Sequence, residues 1–149
     1  MTTLAGSGVP GSADGTGVLA SFKSPEGVTT DALGNIFVAD SGNNMIRKVT
    51  PAGVVTTFAG ALSGGSTDAT GTAASFRIPT GMATDSGGNM YLADTGNNMI
   101  RKITPAGVVT TFAGSGSRPA MRAGSVMLSS GGRRRTAGSA CESAAYSGW

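Results

Sequence analysis

Short hydrophobic runs alternate with polar turns along this chain, and the whole pattern returns after 54 residues. Within residues 27–60, turns rich in Asp, Asn and Gly separate four apolar runs of β type. These runs cover residues 28–30, 35–39, 45–50 and 54–59. Their lengths and spacing predict a small antiparallel meander of four strands. The second run is apolar on both sides, and the Thr-rich last run suits an outer edge.

The second copy of the unit repeats the first closely. Residues 27–60 and 81–114 are identical at 25 of 34 positions, and a Thr-Thr-Leu/Phe-Ala-Gly segment recurs at residues 2–6, 56–60 and 110–114. Such fidelity predicts a building block of a stacked array. Four strands per unit without helical periodicity favour the blade of a β-propeller over leucine-rich or helical repeats, with a β-solenoid as the alternative.

The stretches GNIFVADSGNNMIRK and GNMYLADTGNNMIRK resemble NHL repeats, although the central His of that motif is Asn44 and Asn98 here. The resemblance covers residues 1–114. It implies an all-β fold, a partial β-propeller of four-stranded antiparallel blades in which each first strand lines a central channel. We expect an outer strand at 2–5, blades at 28–59 and 82–113, and linkers at 7–26 and 61–80.

The repeat ends after Gly114, and residues 115–149 do not continue it. This Ser, Gly, Ala and Arg-rich tail is predicted to be disordered or to be an out-of-frame continuation of a third blade. The net charge of +3 belongs to the tail, because residues 1–114 carry six Lys and Arg against seven Asp and Glu. A near-neutral body makes nucleic acid an unlikely partner.

Candidate chemistry in the body is sparse. Residues 6–11 match a dinucleotide fingerprint, but no helix can follow them to hold a pyrophosphate. The turns at 40–44 and 94–98 offer oxygen ligands, yet Pro51 and Pro105 stand where a calcium loop needs its last acid. The chain contains no His and one Cys. We therefore expect no catalytic residue, no metal site and no cofactor.

The turns after the second strand and the arginines of the third strand form the candidate partner-binding face. Its residues are Asp40, Asn43, Asn44, Asp94, Asn97, Asn98, Arg47 and Arg101. The leading hypothesis is a non-enzymatic scaffold for protein or ligand binding. The alternative is a piece of a catalytic propeller, a lyase or lactonase, whose active residues lie in missing blades. Enzymatic activity is left undecided, with the weight on a non-enzymatic role.

Two blades also leave their outermost faces uncovered, since blade-to-blade packing supplies the core of such a fold. We therefore expect self-association through the open blade faces, besides an unidentified protein partner. No apolar run is long enough for a membrane span. No secretory signal is recognisable, so the compartment stays open, and the bacterial-type resemblance is compatible with an extracytoplasmic parent protein.

Overall fold

The computed structural model describes residues 1–116, so the expectations for the tail beyond residue 116 lie outside the described residues. The fold is all-β, as predicted, and no α-helix occurs within residues 1–116. Four short 3₁₀ helices lie between strands, at Gly17–Leu19, Ser41–Asn43, Gly71–Ala73 and Thr95–Asn97. The strands are β1 (Gly15–Thr16), β2 (Pro25–Thr30), β3 (Ile36–Asp40), β4 (Met45–Val49), β5 (Val54–Gly60), β6 (Pro79–Thr84), β7 (Met90–Asp94), β8 (Met99–Ile103) and β9 (Val109–Ala113).

Two antiparallel sheets hold these strands in the orders β1-β5-β4-β3-β2 and β6-β7-β8-β9. We call β2–β5 blade 1 and β6–β9 blade 2. Equivalent pairs keep the same register, since Val38 opposes Arg47 and Leu92 opposes Arg101. Gly53 adopts a φ of 85° after the Pro51 turn, which only glycine accepts readily. Each blade is therefore the predicted four-stranded meander.

The predicted outer strand at residues 2–5 is not part of a sheet. No strand within residues 1–116 runs beside it to complete a ladder. The segment nevertheless lies where a fourth strand of a preceding blade would lie. Ala5 packs against blade 1, and Gly6 approaches the Phe22 ring as Gly60 approaches Phe76. The fifth strand of the first sheet is β1, which comes from the linker.

The two blades meet along their first strands, β2 and β6. The hydroxyl oxygens of Thr29 and Thr84 are 2.8 Å apart and share a hydrogen bond. A Cβ on Gly27 would lie 2.1 Å from the carbonyl oxygen of Thr80, so only glycine allows this approach. The sheets therefore spread outward from a common inner edge.

The main hydrophobic core lies between the blades. We call the face that a blade turns to the following repeat its far face, and the opposite one its near face. On blade 1 the far face comprises Phe37, Ala39, Ile46, Phe58 and Ala59. The near face of blade 2 comprises Met90, Leu92, Ile103 and Val109, and the linker residues Ala74 and Phe76 belong to it as well. A second cluster, Ala20, Val38, Val49 and Val55, belongs to the near face of blade 1.

The same residue types are left open on the far face of blade 2. Its members are Tyr91, Ala93, Ile100, Phe112 and Ala113. Ile100 is 39% exposed whereas Ile46 is 0% exposed, and Phe112 is 61% exposed. The edge-to-face ring pair is nevertheless retained, with centroids 5.0 Å apart for Phe37–Phe58 and 5.1 Å apart for Tyr91–Phe112. The face is thus formed, and within residues 1–116 nothing covers it.

The repeat supplies a matched pair for testing the interblade core. We expect Ile46→Ala to lower the free energy of unfolding by about 2 to 5 kcal/mol, because it opens a cavity between the blades. The equivalent Ile100→Ala should cost about 1 kcal/mol or less, since Ile100 is partly in solvent. Denaturant titration followed by circular dichroism measures both. Equal losses at a protein concentration where the chain is monomeric would contradict the interblade packing.

Candidate functional site

The candidate face is built at the turn between the second and third strands of each blade. In blade 1 the Asp40 carboxylate accepts hydrogen bonds from the backbone N–H of Lys23 at 2.7 Å and from Asn43 Nδ2 at 2.8 Å. Arg47 Nη1 donates to the same carboxylate at 2.8 Å. Because the Asp40 and Arg47 side chains are 0% exposed, this is a buried ion pair with its lone pairs satisfied.

The guanidinium of Arg47 also fastens the linker to the blade. It donates to the carbonyl oxygens of Ser21 at 3.0 Å and Ala13 at 2.9 Å, and to Asp14 Oδ1 at 2.7 Å. Its carbon centre lies 5.3 Å from the centroid of the Phe22 ring, within cation–π range. One arginine therefore orders a linker that has little secondary structure of its own.

Blade 2 repeats the arrangement atom for atom. Arg101 bonds Asp94 at 2.7 Å, Asp68 at 2.6 Å and the carbonyl oxygens of Ser75 and Thr67 at 3.0 Å. Asn97 donates to Asp94 at 2.8 Å. Asp14 and Asp68 were missed in the sequence analysis, although their common place in the repeat, one in each linker, was a usable signal.

Asn44 and Asn98 lie on the accessible side of the same turns. Both adopt the left-handed conformation, with φ values of 58° and 57°, which Asn tolerates. Asn44 Oδ1 accepts from the N–H of Ile78 at 2.9 Å, and its Nδ2 donates to the carbonyl oxygen of Leu62 at 3.3 Å. Asn44 thus fixes the linker between the two blades by hydrogen bonds to its backbone. The side chain of Asn98 makes no hydrogen bond within residues 1–116.

Six of the eight predicted face residues are thus internal in this structure: Asp40, Asn43, Asp94, Asn97, Arg47 and Arg101. Their polar groups are used within the blade and its linker, which leaves them no side-chain surface for a partner. Of the predicted set, Asn98 is exposed and Asn44 is partly exposed. Only the guanidinium Nε atoms of the two arginines are buried without a partner among the described residues.

Carboxylate pKa values follow these contacts. Burial raises the pKa of Asp68, but the hydrogen bonds from Arg101 and Thr111 outweigh it and hold that pKa below its ordinary value of 3.8. The pKa of Asp31 is lowered chiefly by the side chain of Asn35, and that of Asp85 by the backbone N–H of Asn89. These two acids cap turns between first and second strands.

Tyr91 has a raised pKa, because of desolvation and of the hydrogen bond that its hydroxyl donates to Asp85. Its phenol therefore stays protonated at neutral pH. Within residues 1–116 no group of three or more His, Cys, Asp or Glu side chains could hold a metal ion. No helix in this part of the chain is long and apolar enough to cross a membrane.

An apolar cavity of about 340 Å³ lies between residues 3–5 and the near face of blade 1. Blade 1 contributes Phe22, Pro25, Val28, Ile36, Val38 and Val49 to its lining. Such a lining carries no convergent polar groups to orient a small molecule, unlike most ligand sites. The cavity is therefore a gap in sheet packing.

Residues 22–48 match the NHL repeat family. The chain is 35% identical over 94 residues to the protein SUPPRESSOR OF QUENCHING 1, chloroplastic, of Arabidopsis thaliana, an alignment over 62% of this chain and 9% of that protein. Two propeller-like structures from Bacteroides thetaiotaomicron, each 26% identical, are similar. A putative phosphatase gives a TM-score of 0.59 over 68% of this chain, and an auxiliary nutrient binding protein gives 0.53 over 70%. This chain spans 26% of each.

We expect Asp94→Ala to lower the free energy of unfolding by about 3 to 5 kcal/mol, because it removes the fully buried acceptor of Arg101, of Asn97 and of the Arg77 N–H. The half-exposed Asp68 is then the remaining carboxylate partner of the Arg101 guanidinium. The exposed Asp85→Ala is the control and should cost less. The double variant Asp94→Ala, Arg101→Ala should fall short of the sum of the single losses by at least about 0.5 kcal/mol. Strict additivity in denaturant titrations would show that the pair is not coupled.

Asp68 also predicts a dependence of stability on pH. Because its folded pKa lies below 3.8, its contribution is complete above that pH and is lost as pH falls through the folded pKa. Asp68→Asn should therefore flatten the fall of stability below pH 3.8. Thermal melts across this range give the slopes.

Proposed function

We propose that this chain, whose residues 22–48 match the NHL repeat family, acts as a non-enzymatic scaffold whose blade faces bind protein partners. The observation that carries the proposal is the open far face of blade 2. Phe112 and Ile100 are exposed there, whereas the same positions in blade 1 pack against another blade. Exposed contiguous apolar surface on a folded sheet is typical of an interaction site.

The polar residues support the same reading. Both Asp–Arg pairs hold linkers in place, so they are not available as acids, bases or cation ligands. The described residues hold no candidate metal cluster. Catalysis of lyase or lactonase type would therefore need groups from other blades, and no contact in residues 1–116 favours it.

The names of the similar structures include both a binding protein and an enzyme. One structural neighbour is called an auxiliary nutrient binding protein and another a putative phosphatase. Since this chain spans about a quarter of either, their activities do not transfer with the fold. The scaffold proposal takes from them only that propeller blades of this kind serve in binding proteins.

Residues 1–116 offer no repeated arginine stripe to a nucleic acid. The repeated arginines that could have formed a basic stripe are Arg47 and Arg101, and both side chains are 0% exposed. A phosphate backbone is bound by accessible cations. The proposal therefore concerns protein surfaces, among them the surface of another copy of this chain.

A hydrophobic dye tests whether the far face is available. We expect anilinonaphthalene sulfonate to fluoresce on binding the protein and Phe112→Asp to reduce this signal, since Asp removes the most exposed ring of the face. Leu33→Asp is the matched control, because Leu33 is 81% exposed but lies in a turn away from the face. It should retain the signal.

The experiment is read at low protein concentration, with circular dichroism confirming that each variant is folded. Equal fluorescence of the wild type and Phe112→Asp would mean that the far face is not accessible in solution. Obtained at a concentration where the chain is monomeric, that result would remove the basis of the scaffold proposal.

A further inference from the structure

We propose that the far face of blade 2 binds the near face of blade 1 in a second copy of this chain, and that this docking replaces residues 2–6 of that second copy. The inference rests on the proposed function, because it names the partner of the same open face. The contact is head to tail, so each copy offers one face as donor and the opposite face as acceptor.

The joint between blades 1 and 2 is the template for the contact. The far faces of the two blades differ only in Phe37 against Tyr91, while the Ala, Ile, Phe and Ala positions are unchanged. The near faces are both apolar, with Ile36, Val38 and Val49 in blade 1 where blade 2 has Met90, Leu92 and Ile103. An apolar far face therefore meets a complementary near face of smaller side chains.

The cavity on blade 1 marks the unfilled half of this joint. Its lining residues Phe22, Ile36 and Val49 correspond to Phe76, Met90 and Ile103, which blade 1 covers in the internal joint. The covering side chains there include Phe37 and Ile46. In a second copy the equivalent residues are Tyr91 and Ile100. Their positions in the repeat put these two side chains in the cavity of about 340 Å³.

Residues 2–6 resemble β9, the strand that would dock together with Tyr91 and Ile100. Their sequence, TTLAG, matches TTFAG at residues 110–114 in four of five positions. Because both segments belong at the same site on a near face, they cannot occupy it together. The resident segment belongs to no strand ladder, although the N–H of Gly6 bonds the carbonyl oxygen of Gly17. An incoming β9 arrives with β7 and β8 and covers more apolar surface.

Asn98 offers a second point of contact. Its counterpart Asn44 binds the N–H of Ile78 and the carbonyl oxygen of Leu62, whereas the Asn98 side chain has no hydrogen bond in residues 1–116. The 54-residue register puts Ser24 of the second copy in the place of Ile78, while Gly116 of the same chain holds the position of Leu62. Ser24 has the same φ of 51° as Ile78, so its backbone already has the conformation in which Ile78 binds Asn44.

Repeated head-to-tail contacts have a predictable end. The described residues of each copy add two blades, and propellers close with about 4 to 8 blades. A closed ring would therefore contain about two to four copies. A discrete species of that size distinguishes this docking from unspecific aggregation, which has no upper limit.

Sedimentation velocity over a range of concentrations tests the docking. We expect the wild type to form a reversible, discrete oligomer of this size and Phe112→Asp to remain monomeric. The turn variant Leu33→Asp should associate as the wild type does. A wild type that stays monomeric at every concentration would overturn the proposal, as would association of Phe112→Asp equal to that of the wild type.

A variant in the N-terminal segment tests the displacement. Gly6 has a φ of 113°, so Gly6→Val strains the backbone and should release residues 2–6 from blade 1. If the released state is a minor one of about 10% or less, association should strengthen by about tenfold or more. Weaker association of Gly6→Val would mean that the segment belongs to the interface, which contradicts displacement. Gly6→Val with Phe112→Asp should be monomeric.

The dye and sedimentation experiments fail independently. Dye binding that depends on Phe112, together with a wild type that remains monomeric, would retain the scaffold and eliminate the second copy as its partner. Loss of both signals would eliminate the scaffold as well.

Discussion

The main core of this protein forms only where one blade packs against another, while residues of the linker and Ala5 cover the near face of blade 1. The sheet is thin, so each of its two apolar faces needs a neighbour, and the fold gains its core at the joints. Phe37 and Ile46 are buried because blade 2 covers them, while the equivalent side chains Tyr91 and Ile100 are partly exposed to solvent. The location of the core, the open face and the cavity on blade 1 all follow from this one constraint.

The second element of the design is a buried arginine in every repeat. Arg47 and Arg101 each join a strand, a turn and a linker through an aspartate of the blade and an aspartate of the linker. A buried charge of this kind contributes little net stability but tolerates few alternative arrangements, since each donor needs its own acceptor. It explains how a linker rich in Gly and Ser keeps one path.

Most of the fold was predictable because its signals are local. Turn residues and apolar runs located the eight blade strands to within a few residues, since Pro51 and Gly53 act on their own stretch of backbone. The segment expected as an outer strand at residues 2–5 lies outside the sheets, because no strand of residues 1–116 lies beside it to complete a ladder. Asp14 and Asp68 escaped notice since their role depends on arginines more than thirty residues away.

The sequence by itself determined the repeat, the four-stranded unit and the apolar character of both blade faces, because these depend on the order of neighbouring residues. Only the tertiary structure decided which polar residues are accessible. Asp40 and Asp94 read as surface turns along the chain, but the packing of the linker over them makes them internal. The physical reason is that burial depends on contacts between segments distant in sequence, and equal sequences, such as Ile46 and Ile100 in their repeats, end in different surroundings.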